Sequence, residues 1–465
     1  MVPDLNVPRH IHVIGVGGAA MSAIASIARR MGHVVTGSDQ QSSVVLDRLV
    51  SEGCTVWVPH DAASVPETVD LVAISTAVKS DNVELVALRQ RGVEVATRPD
   101  VMAALGKLKR TIAISGTAGK TTTAAMMAVV ATAAGWNPSM IVGAAVEGLG
   151  SGVAWTDSEW FVVEADESDG SFLRFGAEAI VVNNIEPDHL DLWGSMEQLE
   201  AGFDRFVVQA VGPKVVSADD PGVLAMRTRI GSVDGLVSFG FSSDADYRIE
   251  SFRAARLTSS FVLRHRDQKV SAVQLTVPGE HNALNATAAF AVAVELGVDP
   301  SVAADGLAQF RGASRRFEFR GTARDVTFVD DYAHLPMKAR AAVNAGLLGG
   351  WERVVAVYQP HRYTRTRDTW RDYANVFEGV GLLVVTGIYA AGQEPIDGVS
   401  GRLILDAVTS AHPGQPVAYC ESRESLVALL EAELKAGDLC LTMNAGDLTT
   451  LPDEMLANDW ARRSP

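Results

Sequence analysis

Short apolar runs alternate with longer amphipathic stretches along almost the whole chain, and this alternation predicts strands and helices in turn. Ile11–Gly15 reads as a strand, Ala19–Met31 as a helix, Val34–Gly37 as a strand and Val44–Glu52 as a helix. Leu71–Ser75 and Val83–Arg91 repeat the pair, and the block closes near the basic stretch Gly106–Arg110. A second block opens with strand Thr111–Ser115, loop Gly116–Lys120 and helix Thr121–Gly135. It continues with strands Trp160–Ala165 and Ala179–Asn183, and ends after helix Ala283–Leu296 and segment Ser301–Phe310. A polar stretch, Arg311–Gly321, precedes a third block with strands Val326–Val329, Val354–Tyr358, Leu382–Thr386 and Leu439–Met443. Strands alternating with helices imply parallel sheets covered on both faces. The expectation is an α/β protein of three domains, 1–108, 109–312 and 313–465, the middle one built round a phosphate loop.

Length changes this picture little, since 465 residues exceed one ordinary core. Charge narrows it. With 40 Lys and Arg against 56 Asp and Glu, the net charge is −16, which argues against a nucleic-acid or acidic-membrane binder. Cys54, Cys420 and Cys440 are far apart and in no CxxC spacing, so neither a disulfide framework nor a structural zinc site is expected. No apolar run reaches membrane-spanning length, and residues 1–10 lack the basic and apolar start of a leader. The expected location is the cytoplasm, without a membrane partner.

The strongest chemical signal is Ser115-Gly-Thr-Ala-Gly-Lys-Thr-Thr122, lying between a strand and an Ala-rich helix. Glycines let the backbone aim N–H groups at phosphate oxygens, and the helix N-terminus adds a positive dipole end. Gly116, Thr117, Ala118, Gly119, Lys120, Thr121 and Thr122 are therefore candidate ATP-binding residues. Lys120 can reach the β- and γ-phosphates, and Thr121 can offer a hydroxyl to Mg²⁺. Ile114 stands where the commonest pattern has its first glycine, so the loop is a variant; as a bare Gly turn before a buried helix it would do nothing.

Gly15-Val-Gly-Gly-Ala-Ala20 also joins a strand to a helix, and Asp39 ends the next strand. Gly15, Gly17, Gly18 and Asp39 fit a dinucleotide loop, for NAD or for another nucleotide diphosphate such as a UDP-sugar, or else a tight structural turn. Glu164–Asp169 and Asn184–Asp191 each follow an apolar strand. Their carboxylates and His189 or Asp188 suit a metal–phosphate site, although each cluster alone reads equally as solvated loop acids. His281, Asn282 and Asn285 open a helix and could face an adenine or simply cap it. Gln359–Arg367 concentrates cations in an acidic chain, which suits a carboxylate or phosphate.

These segments, together with Arg315–Glu318, Asp330–Pro336, Tyr389–Gly392 and Asn444–Asp447, resemble in kind and order the Mur ligase family. Glu164–Phe172, Gln359–Arg367 and the absence of lysine from Ser195–Pro213 resemble the member that joins L-alanine to UDP-N-acetylmuramate in peptidoglycan synthesis. The resemblance implies a Rossmann-like UDP-binding domain, a central P-loop-like ATPase domain and a Rossmann-like C-terminal domain that closes over the site, with ATP and Mg²⁺ as cofactors and an acyl phosphate on the sugar's lactyl carboxylate. It implies that Lys120 holds the transferring phosphoryl group and that Thr121, Glu164 and His189 bind Mg²⁺. Asn282 and Asn285 would contact adenine, and Arg316 with Asp330 or Asp331 would reach ATP. Tyr332, His334, Arg362 and Arg365 would grip the muramoyl acid, His361 would lie near the amino acid, and Gly15–Gly18, Ser38 and Asp39 would face UDP. The chain departs from the family pattern at Ala118, Leu335, Lys338, Gln393 and Asn444. A peptide-recycling ligase of the same family, an NAD-dependent dehydrogenase and a non-catalytic nucleotide-sugar-binding paralogue are the competing readings.

Overall fold

The computed structural model describes residues 2–75, 77–266, 268–457 and 460; of residue 191 only the backbone is described. It contains three sheets. The first, in the order β3-β2-β1-β4-β5, is parallel and comprises β1 (His10–Ile14), β2 (Val34–Ser38), β3 (Thr55–Trp57), β4 (Leu71–Ile74) and β5 (Glu94–Thr97). The second has ten strands: β6 (Arg110–Ser115), β7 (Ser139–Ile141), β8 (Val153–Ala154), β9 (Trp160–Glu164), β10 (Ala179–Val182), β11 (Lys214–Ser217), β12 (Leu236–Gly240), β13 (Tyr247–Ala255), β14 (Thr258–His265) and β15 (Gln268–Leu275). Their order is β15-β14-β13-β12-β11-β10-β6-β9-β7-β8. The third, β16-β17-β21-β18-β19-β20, comprises β16 (Glu318–Ala323), β17 (Val326–Asp331), β18 (Arg353–Tyr358), β19 (Leu382–Thr386), β20 (Val417–Cys420) and β21 (Asp438–Met443).

The central strands are buried on both faces, as continuous Val/Ile/Ala runs in parallel sheets should be. Ile112–Ile114, Phe161–Val163 and Val181–Val182 have no exposed surface. The runs read as strands in the sequence lie within β1, β2, β4, β6, β9, β10, β17, β18, β19 and β21 or overlap them by a residue or so. The strands β3, β5, β7, β8, β11 to β16 and β20 were not foreseen. Tyr247–Ala255 alternates buried and more open positions, BiBieieie, so its signal was the period of two rather than an apolar run.

By compactness the chain divides into two units. One comprises Met1–Ile249, Leu263–Ser271 and Leu284–Leu307; the other comprises Glu250–Val262, Ala272–Ala283 and Ala308–Pro465. In the first, one apolar cluster runs from Leu5 and Ile11 through Val163 and Phe172 to Met226. In the second, the two faces of the third sheet carry separate clusters, one round Val343 and Leu441 and one round Phe328 and Leu451.

Candidate functional site

The phosphate loop leaves β6 at Ser115 and enters the helix Lys120–Ala133, whose N-cap, Gly119, has φ +82° and no side-chain cap. The loop's shape is set from β10. Ala118 N–H donates to Asn184 Oδ1 (2.7 Å), Thr117 N–H to Asn184 O (3.2 Å), and Asn183 Nδ2 to Ala118 O and Thr123 Oγ1. Thr123 Oγ1 in turn donates to Asn285 Oδ1 at 3.1 Å. Asn183 and Asn184 were not singled out as loop supports, and only their position directly after an apolar strand hinted at it. The loop needs its glycines. A Cβ on Gly119 would lie 2.5 Å from Asn285 Oδ1 and 2.7 Å from Asn183 Nδ2, besides the strain of its positive φ. Gly119→Ala is expected to cost on the order of 2 kcal/mol of stability and to weaken ATP binding, which thermal unfolding and an ATP titration would register.

Lys120 is 12% exposed and donates from Nζ to Gly116 O and Glu167 Oε2, both at 2.7 Å, with Asp166 Oδ1 at 3.9 Å. Burial opposes the ammonium charge, but Glu167, Asp166 and Glu164 outweigh it and hold the Lys120 pKa above its ordinary value. Thr121 Oγ1 donates to Glu164 (3.0 Å), which also accepts the Gly143 N–H (2.9 Å). The expected metal set, Thr121, Glu164 and His189, is thus divided. Thr121 and Glu164 are bonded to each other, whereas His189 groups with Asp166 and Glu167, whose ligand atoms all lie within 4.8 Å. His189 sits at φ +54°, capping the short helix Leu190–Trp193. Glu167 is 1% exposed, and its Oε1 is buried without a hydrogen-bond partner. Oxygen donors beside an imidazole, one of them unsatisfied, fit a hard divalent cation such as Mg²⁺.

The N-terminal loop is held by β2. Ser38 O accepts the N–H groups of Gly15 (2.8 Å) and Val16 (3.0 Å), Gly17 N–H donates to Asp39 Oδ2 (2.8 Å), and Gly18 N–H to Gly15 O. Ser38, expected to face UDP, presents its carbonyl to the loop. Ser38 has no exposed surface, and its hydroxyl is engaged by Glu84 and by His60 Nδ1. Glu84 is itself fully buried, accepting from Trp57 Nε1 and Asp61 N (both 2.9 Å) and facing His12 Nε2 at 3.4 Å. Burial opposes its ionisation, but the bonds from His12, Ser38, Asp61 and Trp57 prevail and hold the carboxyl down at about 2. Nothing in the sequence around Glu84 announced this cluster.

Asn282 is buried and donates from Nδ2 to Pro278 O (2.7 Å); Asn285, also buried, accepts from Thr123. Burial depresses His281 to about 4, so the ring is neutral at pH 7.

In the second unit, Asp330 has no exposed surface, and its oxygens accept from Asn444 Nδ2 (2.9 Å) and Thr449 Oγ1 (2.6 Å), with Arg315 Nε at 3.4 Å. The oxygens of Asp330 are thus partnered within the fold, whereas Asp331 keeps exposed surface beside its bond from Phe317 N–H. Burial pushes Asp331 up to about 6 against the opposing Arg316. The Arg315 and Arg316 guanidiniums lie 4.8 and 5.0 Å from the Tyr332 ring. The His334 ring is 4.9 Å from that of Tyr332 and 5.7 Å from that of His361. His361 stacks on Tyr389, and its Nδ1 lies 2.9 Å from Arg365 Nη1; burial, then Arg365 and Arg362, lower it to about 4. Arg362 takes φ +68° and donates its N–H to Tyr389 O (2.8 Å). The geometry therefore gathers Arg316, Asp331, Tyr332, His334, His361, Arg362 and Arg365 at the C-terminal ends of β17 and β18, where ligands of open α/β sheets sit. Two of the departures have local partners: Gln393 bonds Thr364 N–H and Oγ1, and Asn444 Oδ1 accepts from Arg315 Nη2 (2.8 Å).

Comparison with known proteins matches the chain to three family models. Residues 10–110 match "Mur ligase family, catalytic domain", residues 114–293 "Mur ligase middle domain", and residues 315–446 "Mur ligase, glutamate ligase domain". A UDP-N-acetylmuramate–L-alanine ligase of Myxococcus xanthus is 40% identical over 98% of this chain and 96% of its own length. One of Kineococcus radiotolerans is 41% identical over 96% and 95%. The crystal structure of the UDP-N-acetylmuramate–alanine ligase MurC of Thermotoga maritima superposes with a TM-score of 0.82 at 27% identity, covering 98% of this chain and all of that one. A murein peptide ligase of Psychrobacter arcticus shares the fold, with a TM-score of 0.66 at 23% identity.

Proposed function

The chain belongs to the Mur ligase family, and from that premise we propose that it joins L-alanine to the lactyl carboxylate of UDP-N-acetylmuramate at the expense of ATP, in the cytoplasmic stage of peptidoglycan synthesis. The observation that carries this reading is the near end-to-end likeness to alanine-adding relatives. A phosphate loop whose Lys120 is intact agrees with it. We assign the first, second and third sheets to a UDP-sugar-binding domain (1–108), an ATP-binding domain (109–312) and a substrate-closing domain (313–465).

Transfer of a phosphoryl group to a carboxylate brings two anions together, so fixed positive groups must offset their repulsion. The loop N–H groups from Gly116 to Thr122 and the Lys120 ammonium answer that need. Asp166, Glu167 and His189, with Glu164 and Thr121, would hold Mg²⁺, which supplies charge neutralisation between phosphate oxygens when bound. Arg362 and Arg365 suit the sugar's carboxylate, and His361 stands beside them as a neutral ring at pH 7, adding no charge of its own. No described helix is long and apolar enough to cross a membrane, in keeping with this assignment.

The test is phosphate release from ATP and Mg²⁺ with UDP-N-acetylmuramate and a panel of L-amino acids. Release that depends on L-alanine is expected. A rate indifferent to every amino acid would sink the ligase reading, and a preference for glycine or serine would move only the amino-acid assignment.

A further inference from the structure

The helix Arg98–Lys107 starts directly from β5. Its first turn is locked by a capping box in which Thr97 N–H and Oγ1 donate to Asp100 Oδ2 (3.0 and 2.7 Å). Arg98 is the first residue of that helix. A cation there opposes the helix dipole, so helix stability does not explain it. Its side chain reaches instead into the acidic loop after β9. Nε and Nη2 both lie 2.6 Å from Asp169 Oδ2, and Nη2 lies 3.8 Å from Asp166 Oδ2. Asp169 is 3% exposed, and its other oxygen accepts the Ser171 N–H. Asp166 and Asp169 bracket Glu167, the carboxylate that holds Lys120. One guanidinium thus grips both ends of the segment that holds the phosphate-loop lysine.

We infer that Arg98 is a positioning residue for phosphoryl transfer: by holding Asp166 and Asp169 it sets where Glu167 stands and how strongly the acidic loop retains Lys120. This rests on the ligase reading above. The charge argument gives the direction. Asp166 faces two cations, Arg98 at 3.8 Å and Lys120 at 3.9 Å. With Arg98 neutralised, Asp166 and Glu167 act on Lys120 alone, and the ammonium is harder for ATP to draw away.

The experiment compares steady-state kinetics of Arg98→Gln, Arg98→Lys, Asp169→Asn and the double variant Arg98→Gln/Asp169→Asn with wild type, using ATP, UDP-N-acetylmuramate and L-alanine. Arg98→Gln is expected to raise the KM for ATP and lower kcat, each about tenfold, with the Kd for UDP-N-acetylmuramate unchanged by calorimetry. Asp169→Asn, which releases the guanidinium from its anchor but keeps its charge, should lower kcat likewise, the double variant should lower kcat no further than either single, and Arg98→Lys should recover part of the loss. Arg174→Gln, which removes the 2.9 Å contact to Asp100 on the same helix, controls for mere adhesion and should lower Tm without moving the KM for ATP. Unchanged kinetics in Arg98→Gln, a purely lowered Tm, or additive losses in the double variant would overturn the inference. An inactive wild type would overturn the ligase reading instead, so the two failures are distinguishable.

Discussion

Lys120→Ala is expected to lower turnover by about a hundredfold to a thousandfold while leaving UDP-N-acetylmuramate binding within a factor of about two. Losing a single donor that stabilises transition-state charge costs about 2.7–4 kcal/mol, and Lys120 is the cation placed within the phosphate loop. The Gly15 loop draws its hydrogen bonds from Ser38 and Asp39, not from this region, so the sugar nucleotide should still bind. Stability will fall too, because Glu167, 1% exposed, loses the ammonium 2.7 Å away; removing one partner of a buried pair costs roughly 3–5 kcal/mol. The double variant Lys120→Met/Glu167→Gln removes both charges and should recover stability but no turnover. Phosphate release, calorimetry with the UDP-sugar and denaturant melts check the three parts. If Lys120→Ala abolishes UDP-sugar binding, the separation of the two nucleotide sites is wrong.

The largest purely structural effect is expected at Glu84. Glu84→Ala should cost roughly 3–5 kcal/mol and lower Tm on the order of 10 °C, because Trp57 Nε1, Asp61 N, Ser38 Oγ and His12 lose one shared acceptor. Its pH dependence has a definite sign. The carboxyl sits at about 2 in the fold against an ordinary 4.5. Its ionisation therefore adds stability above pH 4.5, worth about 3 kcal/mol. That contribution is lost as pH falls from 4.5 towards 2. The stability gap between wild type and Glu84→Ala, read from urea melts, should shrink over that interval. A gap that widens on acidification would refute the ionised, multiply bonded Glu84. UDP-N-acetylmuramate affinity should also fall in this variant, since Ser38 O holds Gly15 and Val16.

The sequence by itself determined the class of fold, the two glycine loops and the order of the motifs. Each of these is written in local periodicity or in a short fixed spacing. A buried parallel strand needs a continuous apolar run, and a phosphate loop needs glycine and lysine between strand and helix. Residues whose roles depend on partners distant in the chain were not legible. Asn183 and Asn184 shape a loop some 65 residues earlier, Glu84 joins side chains from β1, β2 and β3, and Arg98 reaches an acid 71 positions away. The strands β13 to β15 were missed for a different reason: their faces alternate, so no apolar run marks them.

Tertiary structure also distinguishes neighbours that composition leaves equivalent. Asp330 and Asp331 are adjacent and identical in type. Successive side chains of a strand point to opposite faces, so Asp330 turns inward to Asn444 and Thr449 while Asp331 keeps exposed surface. Ser38 was expected to face UDP only because the family resemblance implies it. The same alternation sends its hydroxyl to Glu84 and leaves only its carbonyl for the loop. Sequence fixes which chemical groups the chain owns. Which of them face a ligand and which are consumed in holding the others is decided by burial and by hydrogen bonds that close only when distant segments pack.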